Sequence, residues 1–65
     1  MGQGIYSQLR DVLLDHHCRF IRQGKGSHEI WKSPLNNKNF SVPVTIFSKN
    51  TANAILRQAG INTKI

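Results

Sequence analysis

An α+β fold is what this sequence predicts: a helix, three antiparallel strands and a closing helix, with both helices on one face of the sheet. Three observations lead there. Apolar residues recur with helical spacing near both ends of the chain, they alternate with period two through Phe40–Phe47, and Gly24-Lys25-Gly26 supplies a turn of the kind that joins antiparallel strands. Two helices can cover only one face of so small a sheet, which leaves the other open. Sixty-five residues are assigned to one domain, 1–65. A chain of this length buries only about 60% of the surface its unfolded form exposes, so a large internal active-site cavity is excluded.

The first helix is read over Gly4 to His17, where Ile5, Leu9, Val12 and Leu13 make the apolar stripe and Arg10, Asp11 and Asp15 turn outward. No glycine marks its end, although His16 and His17 suit the negative end of the helix dipole when charged. Cys18 to Gly24 is expected as the first strand and Ser27 to Lys32 as the second, with Leu35 to Asn39 as a polar loop. The third strand is expected from Phe40 to Phe47, with Pro43 pushing it toward a sheet edge or a break because proline has no N–H for the ladder. Ser48 is a good N-cap for the closing helix, whose stripe is Ala52, Ile55, Leu56 and Ala59. Gly60 stops it, and Ile61 is placed to fold back on Leu56 in a Schellman motif.

Nine Lys and Arg against three Asp and Glu give a formal charge of +6 and a pI near 10.3. That surplus favours a polyanionic partner, with nucleic acid, an anionic membrane surface and an acidic protein as the candidate classes. The single Cys18 cannot form an intrachain disulfide, which suits a reducing compartment. The N-terminal residues lack a secretory pattern and no run approaches the length of a membrane span, so a cytoplasmic location without membrane association is expected.

Three acids and one cysteine leave little material for carboxylate dyads or thiol chemistry, and His28 stands out instead. It follows Lys25-Gly26-Ser27, where glycine backbone can approach a phosphate closely, lysine supplies charge and a serine hydroxyl can bond a phosphate oxygen. Imidazole is the side chain best suited to take a proton from a ribose 2′-hydroxyl near neutrality, after which the hydroxyl attacks its own phosphodiester. The bland reading of the same residue is a solvent-facing polar position in a strand. Zinc ligation by His16, His17, Cys18 and His28 is disfavoured because adjacent ligands do not readily converge on one tetrahedral ion. Cys18 reads as a small buried hydrophobe. Arg19, Arg22, Lys25, Lys32, Lys38 and Lys49 come from positions that this topology can gather on one side. Trp31 and Phe40 fit the core better than a base-stacking role. Strand parity places His28 and Ile30 on one face and Glu29 and Trp31 on the other, and either face can be the buried one.

Gly26-Ser27-His28 after Arg22-Gln23, Val42-Pro43 in the third strand, and Leu56-Arg57-Gln58-Ala59-Gly60-Ile61 together resemble the HicA family, small toxins of bacterial and archaeal toxin–antitoxin pairs. The similarity runs from about Leu9 to Ile61. It implies an α-β-β-β-α fold like a double-stranded-RNA-binding domain, mRNA cleavage, a HicB-type antitoxin partner, and a catalytic histidine at the position of His28. One departure is visible: Val44-Thr45 follows Val42-Pro43, where many family members carry a histidine. A second imidazole as general acid is therefore missing at that position, and Lys25 or water is left to serve the leaving oxygen unless His16 or His17 approaches from the helix end.

The sequence thus leads to a toxin ribonuclease that cleaves mRNA with His28 as general base. Arg22, Lys25, Gly26, Ser27, Lys32 and Lys49 are the expected RNA contacts, no metal or small-molecule cofactor is expected, and an antitoxin is expected to cover His28. The rival readings are a non-enzymatic RNA-binding module of the same fold and a protein-binding element whose basic face docks an acidic partner.

Overall fold

The structure is a computed structural model that describes residues 4–65. Its elements are α1 (Ile5–Asp15), β1 (Arg19–Gln23), β2 (His28–Lys32), β3 (Asn39–Pro43) and α2 (Lys49–Gln58), in the expected order. The strands form one antiparallel sheet in the order β1-β2-β3. Both helices pack on the same face, over a core in which Leu9, Leu13, Val42, Ala52, Leu56 and Ala59 are completely buried. Trp31 and Phe40, opposite each other in the β2–β3 register, join that core and are unavailable for stacking on bases.

Both helices end in the same way. At α2 the Ile61 N–H donates to the Leu56 carbonyl at 2.9 Å and the Gly60 N–H to that of Arg57 at 3.0 Å, with Gly60 at φ 79°. This is the expected Schellman motif. At α1 the Cys18 N–H donates to the Leu13 carbonyl at 2.9 Å and the His17 N–H to that of Leu14 at 3.0 Å. The helix that lacked a terminal glycine is therefore closed by the same motif, with His17 in the left-handed position at φ 68°. His16 adds its ring, with Nδ1 2.9 Å from the Val12 carbonyl oxygen. At the start of α2, Ser48 Oγ accepts from the Thr51 N–H as a cap should.

The third strand is shorter than the alternation suggested, ending at Pro43 rather than at Phe47. The Val44 N–H donates to the Ser27 carbonyl at 2.8 Å, which makes His28 and Pro43 a non-hydrogen-bonded pair of the ladder. The missing proline N–H thus points off the sheet edge and costs no inter-strand bond. A turn follows at once, with the Ile46 N–H on the Pro43 carbonyl, and Phe47 stands 90% exposed beyond it.

The β2–β3 loop is tied to the end of α2. Ser33 is completely buried, and its Oγ donates to the Ala59 carbonyl at 2.6 Å while accepting from the Leu35 N–H at 3.1 Å. Asn36 Nδ2 donates to the Gln58 carbonyl at 2.7 Å, and its Oδ1 accepts from the Lys38 N–H. Two side chains of a loop therefore satisfy carbonyls that a helix C-terminus otherwise leaves orphaned.

Two outcomes are expected. Ser33→Ala strands a buried carbonyl and should lower stability by about 1–3 kcal/mol in chemical denaturation. The second concerns Tyr6, whose OH donates to Glu29 Oε1 at 2.7 Å. Burial, that hydrogen bond and the Glu29 charge all push the phenol above its ordinary 10.0, against a smaller opposing pull from Arg10. A group whose folded pKa is raised contributes stability in full below its unfolded pKa and loses it as pH rises through the folded value. Denaturation midpoints should fall above about pH 10, and Tyr6→Phe should flatten part of that fall.

Candidate functional site

The parity left open by the sequence is settled by Trp31. With Trp31 2% exposed beneath the helices, its β2 neighbours His28, Ile30 and Lys32 must face the other way, onto the uncovered side of the sheet. The register then defines three rows across that side: Arg19, Lys32 and Asn39; Arg22, Ile30 and Ser41; and His28 with Pro43.

Arg19 and Arg22 share this face only because β1 is irregular. Three positions apart, they would point to opposite sides of a regular strand. A register shift between Phe20 and Arg22 inserts Ile21 as an extra residue and returns Arg22 to the open side. Phe20 meanwhile stays on the covered side, where its ring meets Trp31 edge-on at 6.2 Å and an interplanar angle of 79°.

His28 stands at the first position of β2, exposed, directly after the turn formed by Gly24 to Ser27. The Gly24 N–H donates to the His28 carbonyl at 2.8 Å and the His28 N–H to that of Lys25 at 3.1 Å, so the backbone of the histidine is held from both sides. Gly26 adopts φ 61°, which a side chain would strain. A Cβ at Gly24 would meet the His28 carbonyl oxygen at 3.0 Å and the Ile30 side chain at 3.2 Å, so this glycine is also required for space. Gln23 closes the turn, its Nε2 donating to the carbonyls of Gly26 at 3.3 Å and His28 at 3.1 Å. In the sequence Gln23 enters only through the family-like Arg22-Gln23 pair, and nothing there signals that its amide spans the turn.

The remaining expected contacts distribute unevenly. Arg22 and Lys32 lie on the open face with His28, and Lys25, Gly26 and Ser27 form the turn at its edge. Lys49 belongs to the helix layer, in the first turn of α2, at the far end of the connection that Val44 ties to Ser27. Lys38 sits in the β2–β3 loop. Arg19, which composition alone did not distinguish, is the direct cross-strand partner of Lys32.

Carboxylates are missing from these three rows. Asp11 and Asp15 are on α1, and Glu29 is turned under the helices, where its Oε1 accepts from Tyr6 and, at 3.0 Å, from Trp31 Nε1. The open side is therefore a cationic surface with an imidazole at one end. Cys18 is buried, and desolvation pushes its thiol up against a weaker opposing effect of Ser33, so it is a poor nucleophile. Among the described residues no group of three His, Cys, Asp or Glu side chains is placed to hold a metal ion, and no helix is long and apolar enough to cross a membrane.

No curated protein and no solved structure matches the chain. The family model described as HicA toxin of bacterial toxin-antitoxin does match it, over residues 6–61. That span takes in the three strands, the glycine turn with His28, and α2 through its Schellman cap, and the chain belongs to the HicA toxin family.

Proposed function

We propose that this HicA-family toxin acts in the cytoplasm as a ribonuclease on mRNA, with His28 as general base, and that a HicB-type antitoxin silences it by covering that residue. The observation that carries the reading is an exposed imidazole, its backbone held on both sides by a glycine turn, on a sheet face that displays Arg19, Arg22 and Lys32 and no carboxylate. Cations spaced along a face neutralise a nucleic-acid backbone, and an accessible imidazole can reach a ribose hydroxyl.

In this mechanism His28 takes the proton of a 2′-hydroxyl as its oxygen attacks the adjacent phosphorus. The new O–P bond forms as the bond to the 5′-oxygen of the next nucleotide breaks. The leaving oxygen takes a proton from water or Lys25, and a 2′,3′-cyclic phosphate remains on the upstream fragment. Lys25, Ser27 and the Gly26 backbone are the phosphate contacts at the turn; Arg22, Lys32 and Lys49 hold the flanking backbone. Gln23 is a positioning residue, acting on His28 through the turn it closes.

His28→Ala should slow cleavage of single-stranded RNA by about 10²–10⁴-fold while keeping the fold and most RNA affinity. EDTA should leave the parent rate unchanged, and the upstream products should end in a cyclic phosphate or its hydrolysis product. Cleavage by the alanine variant within a few-fold of the parent would remove His28 from the role. RNA binding without any cleavage by the parent would leave a binding module in place of an enzyme.

The same geometry supports inhibition by occlusion, since a face built of strands is closed most simply by a second molecule laid over it. Antitoxin and RNA should exclude one another in competition binding, with association slowed by added salt because the face is cationic. The His28 ring signals in NMR should lose solvent access on complex formation. A complex that cleaves RNA at the free rate would overturn inhibition by occlusion.

A further inference from the structure

The cavity on the open side does not lie at His28. An open pocket of about 350 Å³ is lined by His17, Arg19, Lys32, Pro34 and Asn37, at the opposite end of the β1–β2 pair. We propose that it is a second phosphate-binding pocket, taking a backbone phosphate of the same RNA whose cleavage is assigned to His28 above, and the inference rests on that reading for the identity of the ligand.

The pocket's chemistry is uniform. Arg19 and Lys32 are cross-strand partners, so two cations stand side by side in its lining, and no acidic residue joins them there. Asn37 and His17 bring hydrogen-bonding groups from two separate loops, one on either side. An arginine, a lysine and two further hydrogen-bonding side chains lining a hollow suit a phosphate oxygen cluster.

His17 is the more telling residue. Among the described residues only His17 and Asn37 are non-glycine residues with positive φ, at 68° and 58°, and both line this cavity. Asparagine tolerates that conformation. Histidine is among the side chains found there too, but it is more strained than glycine, and the identical motif at the end of α2 uses Gly60, the least strained solution. Local rules tend to be broken where a site needs a side chain. At α1 the break puts an imidazole at a pocket that glycine would leave without one.

The spacing fits a continuous strand of RNA. Lys32 lies four residues along β2 from His28 on the same face, a separation of roughly 13 Å at about 3.3 Å per residue, or roughly two nucleotides of single strand. A molecule bound at both ends would run along β2, crossing Ile30 and its neighbours Arg22 and Ser41.

The test uses the full chain carrying His28→Ala, so that single-stranded RNA of about eight nucleotides is bound without being cut. Adding His17→Gly should raise the melting temperature by about 4–8 °C, because the left-handed position is relieved of its side chain. It should also weaken RNA binding by roughly 5–10-fold. Lys32→Ala should weaken binding comparably and reduce the slope of log K against log salt by about 0.7, the share of one phosphate. Inorganic phosphate should shift the His17 ring signals of the free protein, and Lys32→Ala should abolish that shift. A stabilised His17→Gly protein with unchanged RNA affinity would show that His17 is only an imperfect helix cap, and would overturn the pocket while leaving cleavage at His28 intact. RNA binding weakened as expected, in a protein whose parent form cuts no RNA, would keep the pocket and remove the catalytic reading. Failure of the His28→Ala chain to bind RNA at all would overturn both.

Discussion

Burial of one indole determines which side of this sheet meets the outside. A chain with two short helices can cover a single face, and side chains of a strand alternate with period two, so the choice for one residue of β2 is the choice for all of them. Trp31 makes it. Its ring lies under α1, its Nε1 donates to Glu29, and Phe20 closes against its edge. Inverting β2 would expose that indole and bury a histidine and a lysine, and neither would find a partner in an aliphatic core. The accessibility of His28 is therefore enforced from three residues away, by packing that never touches it.

Charge follows the same division. The chain has only three acidic side chains, and each is kept off the rows of the open side: two on the helix surface and one under it. Glu29 is tolerated there because two neutral donors, a phenol and an indole, satisfy it without bringing a cation from the other side. The bulge at Ile21 completes the pattern by rotating Arg22 into line with Arg19. A net charge of +6 describes attraction to any polyanion, whereas rows of cations beside an imidazole describe a path along which one could lie.

Much of this was legible in the chain, and the parts that were not share a cause. The two helices, the glycine turn, the Ser48 cap and the Gly60 stop were readable because each depends on residues within a few positions of one another. Family resemblance through Gly26-Ser27-His28 and the Leu56 to Ile61 segment pointed to the same fold, and the match over residues 6–61 agrees with it. The end of β3 is not legible in the chain, because Val44 and Ile46 continue the alternation beyond the proline at which the strand stops. The bulge, the capping of α2 by Ser33 and Asn36, and the turn-spanning amide of Gln23 were invisible, since each is defined by a partner supplied only by the folded chain. His17 is the instructive case. Composition rules marked α1 as lacking a terminator, when the helix ends in the ordinary motif with an unusual residue in its key position.

A chain of this length cannot separate scaffold from site, and the β2–β3 loop shows how the two merge. Ser33 and Asn36 hold the last carbonyls of α2, and the bond from the Lys38 N–H to Asn36 Oδ1 curls the backbone between them. Asn37 lies inside that curl, in a left-handed conformation, at the rim of the cavity with Arg19 and Lys32. The same hydrogen bonds that finish a helix on the covered side thus set the wall of a hollow on the open side. Rigidity at the cationic face is obtained from fold-stabilising contacts already in place. It follows that loosening the α2 terminus should be felt at the cavity before the core unfolds, because the loop has less apolar burial than the helices it joins.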